Sequence, residues 1–280
     1  MKKSLLGMIA MLPLFTTGCN LFGGLSSPSN DAQYLDAARA CLDQGNYDCA
    51  QKNYEALSNS YNDVKISEEG LTTLASQNIF SISDLVESLG TNLGSAASFS
   101  ILAVAMEQRG ITNGSYRTTI KQIYDNDAGI NDIKLQAFSK FLTSLAMLNE
   151  LLANAVGSDG QLTASDIVAD PTTCKTSNGA DTVACAAPSG TAVTYNSNDT
   201  ASMTVAGNGT GNGAWDGTPT IQKLITAAVE TSSEFSVFAS GSTNQSLLDA
   251  IQKISHLNAG VATAAAEAAV RYGIVTALDL

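Results

Sequence analysis

NDIKLQAFSKFLTSLAMLNELLANAV, residues 131–156, carries the clearest apolar periodicity in the chain. Phe138, Phe141, Leu142, Leu145, Leu148 and Leu152 recur three and four residues apart. On a helix of 3.6 residues per turn they form one long stripe, the signature of a helix packed into a core. Such a stripe is expected to be core and not a ligand slot. Stretches of the same period lie on both sides of it. Leu71 and Leu74 follow a start at Ser67, and Ser81 with Asp84 makes a capping-box-like start ahead of Leu85, Val86 and Leu89. Residues 96–109 carry Phe99, Leu102 and Met106, and residues 115–124 carry Tyr116, Ile120 and Ile123. Beyond the central stretch, Ile221, Leu224, Ile225, Ala228 and Val229 share a face, as do Leu247, Leu248, Ile251 and Ile254. The Ala-rich residues 261–278 make a last packed helix. The expected fold is all-α, a multi-helix bundle or solenoid-like body over residues 31–280.

One segment breaks the pattern. Between Pro171 and Pro219 glycine, asparagine, serine and threonine dominate, as in residues 207–213. This composition buries too little apolar surface to offset the entropy of ordering. Residues 171–219 are therefore expected to be a flexible surface insertion. Short β-like runs at 192–195 and 202–205 suit a small hairpin there. Trp215, the only tryptophan, is either an exposed recognition anchor or a pin that holds the insertion to the body.

The beginning of the chain fixes an expected location. Met1-Lys2-Lys3 precedes an apolar run through Leu5, Leu6, Met8, Ile9, Met11, Leu12, Leu14 and Phe15, followed by Thr16-Thr17-Gly18-Cys19. A cationic start, a short apolar stretch and small residues at a cut site make a secretory signal. The run is short and contains Pro13, which does not suit a membrane-spanning helix. Cys19 directly after the cut resembles the lipobox of bacterial lipoproteins, with Thr16 standing where that family usually has an aliphatic residue. The resemblance implies cleavage of residues 1–18, a diacylglycerol on the Cys19 thiol and acylation of its amine. Several acyl chains give firm anchoring, because each buried methylene adds roughly 0.8 kcal/mol. Asn20 in place of Asp favours the outer membrane by the same analogy, with the body facing the periplasm. Residues 19–30 read as a lipidated tether.

Charge and cysteine usage agree with export. Without Lys2 and Lys3, 12 of the 14 basic residues remain against all 26 acidic ones, a formal charge of −14. That argues against nucleic acid as a partner and against a polybasic membrane patch. The five cysteines comprise Cys19 and two local pairs, Cys41 with Cys49 and Cys174 with Cys185. In an oxidising compartment these pairs are expected as disulfides. The spacing lacks the Cys-x2-Cys knuckle of a thiolate metal site.

Tyr34, Ala37, Ala38, Gly45, Tyr47, Ala50, Tyr54 and Leu57 lie within Asp31 to Asn59. They place small residues and aromatics on two helices joined at Gly45, and this stretch resembles one tetratricopeptide repeat. A Cys41–Cys49 bond would staple its two helices. The chain resembles, more loosely, uncharacterised bacterial lipoproteins with a helical start of this kind. A plain helical hairpin is the alternative.

No catalytic constellation emerges. His256 is the only histidine, and no nucleophile motif such as Gly-x-Ser-x-Gly accompanies it. It is expected on a helix surface or as a cap. The glycine run fits no phosphate-binding pattern. Asp159, Gly160, Leu162 and Asp166 match the fifth, sixth, eighth and twelfth positions of an EF-hand loop, which makes Asp159 and Asp166 the candidate calcium ligands. Ala155 and Gly157, at the first and third positions, bring no side-chain oxygen, and calcium wants six to eight. The competing reading is a turn in which Thr163 caps a short helix, Ala164 to Val168. Neither a catalytic residue nor a cofactor is expected. The expected role is a membrane-anchored periplasmic scaffold for envelope proteins as yet unknown, and the alternative is a small-molecule, acyl-ligand-binding or transport-accessory lipoprotein.

Overall fold

A computed structural model of the chain describes residues 28–79, 97–111, 115–177, 182–190, 193, 221–238, 245–257 and 263–280. The described residues are helical, without a strand, in the all-α class read from the pattern. The helices are α1 (Asp31–Asp43), α2 (Tyr47–Glu55), α3 (Asn62–Ser76), α4 (Ala97–Gln108), α5 (Ser115–Asn126) and α6 (Ile133–Ala153). They continue with α7 (Ala164–Ile167), α8 (Pro171–Ser177), α9 (Ile221–Phe238), α10 (Gln245–Ser255) and α11 (Ala264–Leu278). Cys19, the expected helix at 81–89, the β-like runs apart from Val193, and Trp215 lie outside the described residues. The chain divides into two compact units, Met1–Thr72 and Thr73–Leu280.

In the first unit α1 and α2 form a hairpin. Asn30 and Asn46 cap the two helices, their side chains accepting from the amides of Gln33 and Cys49. Gly45 turns the chain at φ +69°, a conformation that costs glycine nothing. Ala38, Ala50, Tyr54 and Leu57 form the core, with Tyr34, Leu35, Cys41, Leu42 and Tyr61 packed against it. Cys41 and Cys49 are disulfide-bonded across the turn, their Cα atoms 5.7 Å apart.

Helix α3 begins five residues before the expected Ser67. A 3-10 turn at Asn59–Tyr61 runs straight into it, and no glycine or proline intervenes before Gly70. Its Glu68 ties the unit together. The carboxylate accepts from the Tyr54 hydroxyl at 2.8 Å and from Arg39 Nε and Nη2 at 3.1 and 2.5 Å. One side chain on α3 thus holds both α1 and α2. Burial, and then the bond to Glu68, pushes the Tyr54 phenol well above its usual range. Asp31 accepts from the Ser58 hydroxyl and amide at 2.6 and 3.0 Å, which lowers its carboxyl and closes the hairpin's open end.

The second unit is built on α6. Helices α4, α5 and α9 pack on it, α10 packs on α9, and α11 on α10. Every residue of α6 from Phe141 to Ala153 is buried, whereas Phe138 is only half-buried. The stripe read from the sequence therefore widens to all faces toward the end of the helix. Phe141 meets Phe235 of α9 edge-on, with centroids 5.3 Å apart. Aromatic pairs prefer this geometry because the ring edge is positive and the face negative.

An all-round burial takes polar side chains inside as well. Glu150 of α6 is 0% exposed and Arg117 of α5 is 2% exposed. Arg117 donates from Nε to Oε2 at 2.7 Å and from Nη2 to Oε1 at 3.0 Å, a two-pronged pairing. Asn154 adds a donor to the Glu150 carbonyl at 2.7 Å. Ser144, Thr143 and Asn149 return their donors to carbonyls one turn back on α6.

The region read as a flexible insertion needs correcting at its start. Pro171–Ser177 is helical, with Pro171 at the first position, where its missing N–H costs nothing. Asp170 accepts from the amides of Thr172 and Thr173 at 3.0 and 3.3 Å. The amides of Ala169 and Asp170 donate to the carbonyls of Ala186 and Ala184. Cys174 and Cys185 are disulfide-bonded, and both are buried with Ala184 and Val193. The Cys174–Cys185 bond is the one expected from the cysteine pairs, whereas the helix at Pro171–Ser177 was hidden in the averaged composition, its apolar anchors being few and widely spaced.

Separating a buried ion pair leaves a charge without its partner, which typically costs about 3–5 kcal/mol, whereas an apolar pair of similar volume is often neutral. Arg117→Met and Glu150→Gln should each lower the urea midpoint by about that much stability. Arg117→Met combined with Glu150→Leu should recover most of the loss. A double variant as unstable as the sum of the two would contradict this account of the pair.

Candidate functional site

Helices α10 and α11 meet along faces rich in small and polar residues and leave an open groove of about 610 Å³. Ligand sites commonly span roughly 300–1,000 Å³. Asp249, Gln252, Lys253 and His256 line one wall at three- and four-residue spacing, the last of them just beyond the end of α10. Tyr272, Gly273, Thr276 and Ala277 of α11 line the other, and Leu257 closes the end. Gly273 has a steric reason. A Cβ there would sit 2.3 Å from Leu257 Cδ2, so only glycine lets Leu257 lie against α11. Thr276 donates its hydroxyl to the Tyr272 carbonyl at 2.7 Å, and the Tyr272 hydroxyl reaches the Lys175 carbonyl at 3.4 Å.

His256 is exposed on this groove, as a helix-surface histidine should be, and shares its wall with Asp249 and Lys253. An ammonium, an imidazole and a carboxylate stand at the rim of an apolar trough. That set suits recognition of an amphiphilic group. Thr276 is turned back onto its own helix and is not arranged as a nucleophile beside His256. The shared face of Asp249, Gln252, Lys253 and His256 was readable from spacing, but the facing wall on α11 depends on tertiary packing.

Arg271, next to the groove-lining Tyr272, anchors α11. Its side chain is 1% exposed and donates to Glu267 at 2.9 Å and to the carbonyls of Ile167 at 3.0 Å and Val193 at 3.4 Å. Burial lowers its pKa, and Glu267 opposes the shift. The guanidinium thereby joins α11 to α7 and to the segment beyond the Cys174–Cys185 bond.

A second cluster lies around the first half of α6. Asp127, in the 3-10 turn Asp127–Gly129 after α5, is 0% exposed. Its Oδ1 accepts from the Ser139 hydroxyl at 2.8 Å, and its Oδ2 is buried with no hydrogen-bond partner among the described residues. The Lys140 ammonium lies 4.9 Å from the centre of the Tyr124 ring. The Tyr124 hydroxyl bonds the Glu234 carboxylate of α9. Burial pushes the Asp127 carboxyl up to about 7; Ser139 and Lys140 oppose the rise, and Glu234 adds to it. Burial likewise raises Glu234 and Tyr124, the latter helped by the carboxylates of Glu230, Glu234 and Asp127.

The loop before α7 spends its carboxylates on its own backbone. Asp159 Oδ1 accepts from the Gln161 amide at 3.0 Å. Asp166 Oδ2 accepts from the Thr163 amide and hydroxyl, both at 2.8 Å. Gly160 sits at φ +74°, and a Cβ on Gly157 would lie 2.5 Å from Asp166 Oδ1 and 2.9 Å from Asp159 Oδ1. The two acids converge over Gly157 as parts of a turn that starts α7. Among the described residues no group of three or more His, Cys, Asp or Glu side chains is placed to hold a metal ion.

No family model, curated protein sequence or solved structure matches this chain.

Overpacking of this kind costs typically about 1–3 kcal/mol. Gly273→Ala should therefore lower stability by about that amount, and Leu257→Ala on the same background should restore part of it. Additive losses in a thermal melt would mean that the two residues do not share this space.

Proposed function

We propose that the chain is an exported, lipid-anchored protein of the bacterial cell envelope whose helical body serves as a scaffold for other envelope proteins. The observation that carries the location is the cysteine pairing. The four cysteines other than Cys19 bond to one another as Cys41–Cys49 and Cys174–Cys185. The fifth is the one that follows the signal-like segment and resembles a lipidation site. Two disulfides suit an oxidising compartment, and the reserved cysteine suits acylation. The attachment proposed here runs through Cys19; no helix among the described residues is long and apolar enough to cross a membrane. The outer membrane, with the body in the periplasm, is the favoured site.

The scaffold role rests on the helical hairpin of the first unit. Its disulfide and the Glu68 clamp hold two short helices rigid, which lowers the entropy lost when a partner binds. The groove between α10 and α11 supports a second reading, a lipoprotein that carries a small amphiphile or acyl ligand.

Three measurements test these readings. Cys19→Ala should move the protein from the membrane fraction to the soluble periplasmic one, and retention in the membrane would refute the anchor. Crosslinking in intact cells, followed by mass spectrometry of the purified lipidated protein, should return one reproducible envelope partner. Native mass spectrometry that instead shows a bound small molecule, displaced by Thr276→Trp in the groove wall, would favour the second reading.

A further inference from the structure

Asp127 occupies a position that a purely structural carboxylate would find costly. It is fully buried at the corner between α5 and α6, yet only one of its oxygens has a hydrogen-bond donor, a neutral hydroxyl. Three elements bring titratable or charged groups to it. Tyr124 comes from α5, Lys140 from α6 and Glu234 from α9, with Glu230 of α9 facing Tyr124. The single cation of this set lies over the face of the Tyr124 ring. A buried carboxylate with a like charge near it and a cation engaged elsewhere favours its neutral form.

We propose that Asp127 is a proton-operated latch: with its carboxyl protonated the α5–α6 corner is closed, and when the carboxyl ionises the corner opens to solvent. Opening is the local relief for the ionised form, because it hydrates the bare Oδ2 and frees Lys140 to leave the tyrosine ring for the new charge. The same movement strains the Tyr124–Glu234 bond, so the state of one proton is felt on α5, α6 and α9 together. The sign follows from linkage. The closed state holds its proton up to about 7, against an ordinary value of 3.8 once the carboxyl is solvated. Asp127 thus contributes stability that is fully present below the ordinary value and is lost as pH rises through about 7.

The test is deuterium exchange of the full chain across residues 124–140, each rate corrected for the intrinsic pH dependence of an unstructured peptide. In the wild type the opening constant should rise by up to about tenfold per pH unit and level off near the value at which Asp127 titrates. Asp127→Asn, equal in shape and without a titratable proton, should flatten the profile. Asp125→Asn, an exposed neighbour, should leave it unchanged. Two further variants keep the proposal open to refutation if Asp127→Asn folds poorly. Glu234→Gln removes a like charge and should move the levelling point to lower pH, whereas Lys140→Met removes the cation and should move it to higher pH. Infrared spectroscopy should show the carbonyl stretch of a protonated carboxylic acid fading over the same interval. A wild type with no corrected pH dependence would overturn the latch. So would an Asp127→Asn profile that retains the dependence, or shifts of opposite sign in the other two variants.

Discussion

Complete burial of the second half of α6 is the constraint on which the larger unit depends. Neighbours must cover every face of that helix, which is why α4, α5 and α9 surround it. Burial also fixes what those neighbours have to supply. Glu150 enters the core with α6, so a cation must meet it there, and Arg117 of α5 does so through two hydrogen bonds. An isolated buried carboxylate would cost several kcal/mol. The pair therefore specifies which face of α5 turns inward, a role that apolar contacts between similar helices define less sharply. The Thr143 and Ser144 hydroxyls make no comparable demand, because each donates to a carbonyl of its own helix, whereas Asn149 returns its amide donor to the Leu145 carbonyl and keeps its Oδ1 buried with no partner among the described residues.

The same rule separates the two buried carboxylates of this unit. Glu150 has a guanidinium and is built for permanence. Asp127 has one hydroxyl donor, an anionic neighbour and a lysine directed at a ring. Their burial is alike and their partners are not. Burial by itself thus says little about what a carboxylate does; the charge that meets it decides. The smaller unit shows a third arrangement. Glu68 sits at partial exposure, where an arginine and a phenol suffice to hold it and solvent screens what remains.

Much of the helical frame was legible in residue spacing. The periods at 131–156, 221–229 and 247–254 each correspond to a helix, and Ala38, Ala50, Tyr54 and Leu57, named for the first hairpin, form its core with Tyr34 packed against it, whereas Gly45 is exposed in the turn and Tyr47 is half-buried. Periodicity reports which face is apolar and leaves open what covers that face. It consequently missed the all-round burial of α6 and the facing walls of the groove between α10 and α11. Composition misled at Pro171–Ser177, where a proline, a capping aspartate and a buried disulfide order a stretch that looks irregular when averaged. The early start of α3 was missed for a related reason. The helix is carried on from a 3-10 turn without a strong cap of its own, so there was no local start signal to read.

The polar residues followed a different logic. Arg271 lies on the Ala-rich helix expected to be packed, and it is itself buried and bonds backbone carbonyls from two distant segments. Alanine is the reason. A helix with short side chains approaches its neighbours closely, and the long arginine stem fills the space that remains while its guanidinium satisfies carbonyls otherwise left bare. Gly273 on the same helix extends the argument, since its missing Cβ admits Leu257 and so shapes the end of the groove. Small residues on α11 thus do two things at once: they let one charged side chain lock the helix inward, and they leave beside it an open trough whose rim carries Lys253 and His256.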